Sequence, residues 1–224
     1  MTKLDFAVNQ RRFSFGDGAA EIDSSLLEFL RKEGFTGCKQ VCGEGGCGAC
    51  TAVLSFWDPE TNSTKHQSVA TCLLPLPFVH HMHITTIEGL SKLSDGELHP
   101  VSEAFYEMGA SQCGFCTPGF IMSFAARLAQ DGKPEKAELE NIFDGNLCRC
   151  TGYRPIMDAA AVFCADALEN PKCEEKLKRW RDRLERCRSL DEFFPDEFKA
   201  SQSNLFQGRE CSWPSRRPPK MSWT

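Results

Sequence analysis

The chain has 224 residues, of which 41% are hydrophobic and 25% are charged, and its formal net charge is −5. This composition is ordinary for a folded globular protein and argues against wholesale disorder. The acidic balance supplies no basic field that would attract phosphate backbones, so we do not expect nucleic acid as a partner. The sequence has no secretory signal pattern and no apolar stretch near the roughly 20 residues that cross a bilayer. We therefore expect a soluble, cytoplasmic protein with no membrane partner.

The first part of the chain predicts a small sheet crossed by one helix. Apolar residues alternate before and after the polar link at residues 9–12, which indicates a β-hairpin. Ser25 and Glu28 have the spacing of a capping box, and the helical apolar face that follows ends at Gly34. The predicted strands cover residues 4–8, 13–15, 51–57, 65–70 and 83–87. This order of hairpin, helix and further strands indicates a compact β-grasp domain.

From residue 101 onward, the apolar residues recur with a helical period. We predict helices over residues 101–108, 118–130, 134–143 and 155–168, and we expect them to form a small four-helix bundle. The predicted fold class is therefore α+β. Its expected divisions are a plant-ferredoxin-like β-grasp domain at 1–91, an all-α domain at 92–168, and a charged helix with a linker tail at 169–224.

The C-terminal part is highly charged but contains one narrow apolar stripe. Its members recur at alternating steps of four and three residues, namely Cys173, Leu177, Trp180, Leu184 and Cys187. This spacing predicts a helix that lies against another part of the fold. The remainder, with several prolines and few apolar clusters, predicts an irregular linker or docking tail.

Thirteen cysteines are many for a chain without an export signal. In a reducing compartment such cysteines more often hold metals or carry out redox chemistry than form disulfides. The spacings between them are therefore the most informative feature of the sequence.

A first set of four cysteines has the ligand spacing of plant-type ferredoxins. Four and two residues separate Cys42, Cys47 and Cys50, and Cys72 follows after 21 more. The glycines between the first three suit a backbone that curls tightly around an anionic cluster, because such a loop needs φ values that other residues disfavour. Four thiolates also suit a structural zinc ion, although zinc sites usually combine two close pairs. Cys38 lies outside the spacing, and we predict that it is a loop residue.

A second set consists of two close pairs, which are Cys113 with Cys116 and Cys148 with Cys150. This spacing suits zinc as well as an iron–sulfur cluster, so both readings stay open on spacing alone. Thr117 and Pro118 are predicted to be the N-cap and first-turn residues of a helix, and Pro155 to open another. Two helix N-termini would then face the site and favour thiolate over thiol.

Three motifs in this order resemble the xanthine dehydrogenase and aldehyde oxidase family: Cys42-Gly-Glu-Gly-Gly-Cys-Gly-Ala-Cys50, Gln112-Cys-Gly-Phe-Cys-Thr-Pro-Gly119 and Gly145-Asn-Leu-Cys-Arg-Cys-Thr-Gly-Tyr-Arg-Pro155. The resemblance covers residues 1 to about 168. More loosely, residues 193–198 resemble the linker before the flavin domain of longer enzymes. That likeness favours the xanthine dehydrogenase branch.

The resemblance implies that each set of four cysteines binds one [2Fe-2S] cluster. It also implies that Gln112 contacts the pterin of a molybdenum cofactor. The two clusters would pass electrons from a molybdopterin centre to FAD, both carried by partner domains or subunits, in an assembly that admits a higher oligomer. The chain would then be the iron–sulfur part of an oxidoreductase, with no catalytic residue and no turnover alone. It would be either a separate subunit or a fragment of a longer enzyme. A zinc-stabilised binding scaffold and a truncated, non-functional fragment are the alternatives.

Overall fold

The computed structural model describes residues 3–16, 23–94, 97–130, 132–167 and 174–207. The fold is α+β, as predicted, and its N-terminal part is a mixed five-stranded sheet. The strands are β1 (Lys3–Val8), β2 (Arg11–Gly16), β3 (Thr51–Asp58), β4 (Ser63–Ala70) and β5 (His83–Thr85). Their order in the sheet is β2-β1-β5-β3-β4. Strands β1 and β5 run parallel, and the other neighbours are antiparallel.

The predicted hairpin is present, but its turn is shorter than the polar link of the sequence. Val8 pairs with Arg11, so only Asn9 and Gln10 form the turn. Asn9 has a φ of 53°, a left-handed conformation that asparagine tolerates better than most residues. The Asn9 side chain also accepts a hydrogen bond of 2.9 Å from the Thr86 amide. The hairpin turn is thereby tied to the end of β5.

Helix α1 (Leu26–Lys32) crosses the sheet and begins at the predicted capping box. The Ser25 hydroxyl accepts a hydrogen bond of 3.2 Å from the Glu28 amide, and the Ser25 amide donates to the Glu28 carboxylate at 2.8 Å. After the helix, Gly34 has a φ of +91°, which glycine adopts without steric cost. The buried face of α1 packs on β1, where the rings of Phe29 and Phe6 lie 5.2 Å apart.

Strands β3 and β4 confirm the predicted pair, whereas the strand predicted at residues 83–87 is too long. Strand β5 ends at Thr85, and the short helix α2 (Ile87–Leu90) follows. The physical reason is the side chain of Asn9, which takes the Thr86 amide out of the sheet pattern. The alternation of apolar residues alone does not reveal this interruption.

The next part of the chain is helical, as predicted, although two of its helices are shorter than expected. The helices are α3 (Pro100–Glu107), α4 (Thr117–Leu128), α5 (Leu139–Phe143) and α6 (Arg154–Ala161). A 3-10 turn (Lys136–Glu138) precedes α5. Beyond α6, the Ala165 amide donates to the Pro134 carbonyl at 2.9 Å, so the chain turns back where the sequence predicted a continuing helix. Helix α4 packs on β3 and β4 and joins the helical part to the sheet.

The predicted charged helix is α7 (Glu174–Arg186), and it docks on α3. Trp180 is 1% exposed and Leu177 is also buried, which confirms the central part of the apolar stripe. Arg183 forms ion pairs with Glu103 on α3 and with Glu97. Cys173, the first member of the stripe, lies outside the described residues.

The described residues after α7 are not an irregular linker, but they dock on the fold, which is the alternative that the sequence leaves open. Helix α8 (Asp196–Gln207) packs against β3, and Phe198 is fully buried. Gln202 accepts a hydrogen bond of 2.5 Å from the Trp57 amide and donates to the His81 carbonyl at 3.1 Å. The tail prediction for residues 208–224 lies outside the described part. None of the described helices combines the length and the apolar character that a bilayer crossing requires.

Candidate metal centres

The first set of cysteines is assembled by the β3–β4 pair. Cys42, Cys47 and Cys50 lie in the loop before β3, and Cys72 comes after β4. Because Thr51 pairs with Ala70 at the end of this ladder, the residues flanking the two strands meet. The side chain of Thr71 donates to the Cys50 carbonyl at 2.8 Å and fixes this end of the ladder.

Within this set the thiols meet in two pairs. The thiol of Cys42 lies next to that of Cys47, and the thiol of Cys72 next to that of Cys50. Two thiolates per metal is the donor set of a [2Fe-2S] cluster held by four cysteines, whereas a single zinc ion requires four donors around one point. The pairing therefore fits a two-iron cluster.

Backbone amides of the loop point at the sulfur atoms. The Glu44 amide donates to the Cys42 sulfur at 3.5 Å, and this bond lowers the pKa of Cys42 to about 7, with help from Cys47. Burial raises the pKa of Cys72 to about 11, although the amide of Gly45 opposes the effect. Gly45 has a φ of +74°, which lets the loop curl in this way. Amides aimed at sulfur suit an anionic cluster.

The second set lies in two loops of the helical part. Cys113 and Cys116 precede α4, and Cys148 and Cys150 precede α6. The predicted N-cap at Thr117 is wrong by one residue, because α4 begins at Thr117 and Cys116 occupies the N-cap position. The Thr117 hydroxyl instead donates to the Ser111 hydroxyl at 3.1 Å.

Helix α6 likewise begins one residue before the predicted position. Its first residue is Arg154, and Pro155 is second. Tyr153 before it has a φ of +70°, and its hydroxyl accepts a hydrogen bond of 3.1 Å from the Cys148 amide. Both helices still begin within a few residues of the cysteines, as the sequence predicts.

The thiols of the second set also form two pairs. The thiol of Cys150 lies next to that of Cys113, and the thiol of Cys116 next to that of Cys148. Burial raises the pKa of Cys116 to about 12. Burial acts in the same direction on Cys148, but hydrogen bonds from the hydroxyl and amide of Thr151, at 3.1 and 3.4 Å, outweigh it and lower the pKa. Each pair thus joins one cysteine from each loop, so the set is complete only in the folded domain.

The two sets differ in exposure, and Gln112 lies at the open end of the second. Cys113 and Cys150 are exposed, whereas Cys116 and Cys148 are partly buried. Gln112 is exposed beside Cys113. In the first set, Cys50 is buried beside the β3–β4 ladder. The second set therefore presents one edge to the outside and the other to the protein.

The loops that carry the two sets contact each other directly. The Leu147 amide donates to the Cys47 carbonyl at 3.0 Å. The Asn146 side-chain amide donates to the Gly48 carbonyl at 3.1 Å. Gly119 on α4 approaches so closely that a Cβ atom there would overlap the Gly48 carbonyl. The two sites are therefore neighbours in one continuous structure.

Three residues of the motifs have roles that cysteine spacing does not predict. Asn146 joins the loops, Gly119 permits their close approach, and the Tyr153 hydroxyl caps the Cys148 amide. The available signal is a glycine in the first turn of α4, where a helix-forming residue would be more stable. Such a glycine indicates close approach of another backbone, but not which one.

Two family models match the chain. The model described as "2Fe-2S iron-sulfur cluster binding domain" matches residues 17–76, and the model described as "[2Fe-2S] binding domain" matches residues 86–161. Together the two matched ranges contain all eight cysteines of the two sets.

Curated relatives are similar over most of this chain. Xanthine dehydrogenase 1 of Arabidopsis thaliana is 50% identical over 157 residues, which is 70% of this chain and 11% of the relative. Xanthine dehydrogenase/oxidase of Rattus norvegicus is 45% identical over 178 residues, which is 76% of this chain and 13% of the relative. The chain therefore spans only about an eighth or less of these relatives.

Solved structures have the same fold. The aldehyde oxidoreductase from Desulfovibrio gigas has a TM-score of 0.60 at 33% identity, over 71% of this chain and 16% of that one. Quinoline 2-oxidoreductase from Pseudomonas putida 86 has a TM-score of 0.57 at 29% identity, over 79% of this chain and 96% of the matched chain. The chain therefore belongs to the xanthine dehydrogenase and aldehyde oxidase family of molybdenum hydroxylases, and it corresponds to their N-terminal iron–sulfur region.

Proposed function

We propose that this chain is the electron-transfer part of a xanthine dehydrogenase-like molybdenum hydroxylase, and that its eight paired cysteines are the ligands of two [2Fe-2S] clusters. The observation that carries the proposal is the division of each set into two thiol pairs. When bound, such clusters supply one-electron redox chemistry. The chain itself contributes the thiolates, the amides that stabilise negative charge, and a fixed separation between the sites.

The proposed ligands are Cys42, Cys47, Cys50 and Cys72 for one cluster, and Cys113, Cys116, Cys148 and Cys150 for the other. Cys38 is not a proposed ligand, because its three-residue gap to Cys42 lies outside the ligand spacing of plant-type ferredoxins. A zinc scaffold is disfavoured because the two family models that match the cysteine sets both describe [2Fe-2S] binding domains.

The exposure of the sites supports a direction for the electrons. The edge of the second site formed by Cys113 and Cys150 is open, and Gln112 lies beside it. We assign this edge to the molybdopterin-binding partner, with Gln112 contacting the pterin. The inner edge, through Cys148, faces the first site across the contact between Leu147 and Cys47. Electrons would then leave the first site towards the flavin.

The partners in this proposal are an FAD-binding and a molybdopterin-binding domain, on separate subunits or in one longer polypeptide. No residue of this chain acts on substrate, so we expect no turnover without them.

We assign residues 1–91 to a β-grasp domain, 92–168 to a four-helix domain and 169–224 to the connecting segment. The mixed sheet crossed by α1 supports the first assignment. The proposed location is the cytoplasm.

Isolation of the chain from its own cells, by an affinity tag, tests the proposal. We expect it to carry molybdenum and FAD, either on separate polypeptides or on one long chain. Gln112→Ala should lower the molybdenum content of the isolate while iron and FAD are retained. Gln40→Ala, a change of another exposed glutamine near the first set, should leave all three unchanged. Isolation with iron but without molybdenum or flavin would contradict the proposed partners.

A further inference from the structure

Asn146 is a buried polar residue at the contact between the two cysteine loops. It is 4% exposed, and both ends of its side-chain amide are hydrogen-bonded. Its nitrogen donates to the Gly48 carbonyl at 3.1 Å, and its oxygen accepts from the Ser123 hydroxyl at 2.8 Å. Burial of an amide is costly unless such hydrogen bonds are made, so these two bonds fix the orientation of the Asn146 side chain.

The bonding pattern requires an amide at this position. The Gly48 carbonyl can only accept a hydrogen bond, so the atom facing it must donate. Ser123 lies on α4, which orients the other end of the amide from the core of the helical part. A carboxylate of the same shape would accept from Ser123 but would face the Gly48 carbonyl with a second acceptor.

Asn146 also lies between residues of both cysteine sets. Gly48 follows Cys47, and Leu147, the neighbour of Asn146, donates its amide to the Cys47 carbonyl at 3.0 Å. There is no space for a side chain at Gly48, because a Cβ atom there would overlap the Asn146 amide. A small movement of Asn146 would therefore change the separation of the two cysteine loops.

We propose that Asn146, oriented by Ser123, is a positioning residue that fixes the separation of the two clusters and thereby sets the electron exchange between them. The inference rests on the proposed ligation of both clusters. The hydrogen bonds of the Asn146 side chain go to the Gly48 carbonyl and the Ser123 hydroxyl and not to a thiol. Asn146 therefore acts through the backbone of Gly48 and Leu147.

The test compares the full chain, reconstituted with iron and sulfide, with Asn146→Asp. The matched control is Asn141→Asp, which makes the same exchange at an exposed residue of α5. The first readout is the magnetic interaction between the two reduced clusters in electron paramagnetic resonance, which falls steeply with distance. The second is hydrogen exchange of the peptide that contains the Leu147 amide.

For Asn146→Asp we expect loss of the magnetic interaction, and exchange at Leu147 that is faster by about ten-fold or more, because a buried hydrogen bond is lost. Asn141→Asp should match the parent chain in both readouts. Ser123→Ala, which leaves Asn146 but removes its orienting hydroxyl, should shift both readouts in the same direction and covers the case in which Asn146→Asp fails to fold. Unchanged readouts in Asn146→Asp, or in Ser123→Ala where only that variant folds, would overturn the inference. A parent chain without two cluster signals would instead contradict the proposed function.

Discussion

The backbone amide of Leu147 donates a hydrogen bond of 3.0 Å to the carbonyl of Cys47. Cys47 belongs to the first cysteine set, and Leu147 immediately precedes Cys148 of the second. The path from Cys47 to Cys148 therefore consists of covalent bonds and this single hydrogen bond. Electronic coupling decays more slowly through such bonds than through empty space. The contact gives the two proposed clusters a defined route for electron exchange.

Serine substitutions should separate the two clusters. Cys50→Ser and Cys116→Ser should each lower the iron content from about four to about two atoms per chain and remove a different paramagnetic signal, because each breaks one ligand set. Metal analysis and electron paramagnetic resonance of the reconstituted chains provide the measurement. Cys38→Ser is the control and should retain both signals. Loss of the same signal in both ligand variants would refute the assignment.

Gly119→Ala should destabilise the protein by about 1–3 kcal/mol, because the new methyl group would overlap the Gly48 carbonyl. The sign of this change in the free energy of unfolding is informative, since alanine in an exposed helix normally stabilises the protein relative to glycine. Urea unfolding measures the change. Gly145→Ala is the control, because nothing lies within 4 Å of the added atom, and its effect should be within about 0.5 kcal/mol. Equal stabilities for the two variants would show that the loops are not in close contact.

Phe198→Ala should release α8 from the sheet, because Phe198 is fully buried in a small cluster with Ala7 and Phe194. Truncation of a buried phenylalanine costs about 3–5 kcal/mol, so proteolysis within residues 196–207 should accelerate by more than about 100-fold. Native-state proteolysis with mass spectrometry locates the cuts. Phe78→Ala, at a side chain that is 58% exposed, should leave the rate unchanged. A protected α8 in Phe198→Ala would contradict the docking contact.

His99→Asn should reduce the loss of stability in acid. Burial, and then the charge of Arg183, lower the pKa of His99 to about 4, while the His99 ring accepts a hydrogen bond from the Val101 amide at 3.3 Å. The unfolded chain binds a proton below its pKa of about 6.5 and the folded chain does not, so stability falls as the pH drops from about 6.5 to 4, by up to roughly 3 kcal/mol.

Asparagine keeps an acceptor for the Val101 amide but does not titrate. Urea unfolding of the parent and variant chains at several pH values measures the difference in free energy of unfolding. We expect the free energy of unfolding to fall less for the variant than for the parent, so the two curves should converge as the pH falls towards 4. Parallel curves over this interval would show that His99 does not contribute to the acid sensitivity.

The sequence predicts the local elements well where one pattern dominates. The hairpin, the capping box at Ser25 and Glu28, and the β3–β4 pair are all present, because alternation and capping depend on near neighbours. Strand β5 ends early because a distant side chain, Asn9, takes up the Thr86 amide. No local pattern contains that information.

Tertiary contacts account for the remaining differences. Helix α8 has a weak apolar pattern, and its position depends on the burial of Phe198 and on the bonds of Gln202 with Trp57 and His81. The contact between Leu147 and Cys47 joins loops far apart in the chain. Spacing predicts which cysteines form a set, but the pairing of thiols within the set requires the folded loops.

The most direct test of the central claim is the metal and sulfide content of the reconstituted full chain, measured together with electron paramagnetic resonance after reduction. We predict about four iron atoms and about four labile sulfides per chain, with two distinct signals of about one spin each. A chain that binds zinc without sulfide, or that shows only one signal at full occupancy, would contradict the account.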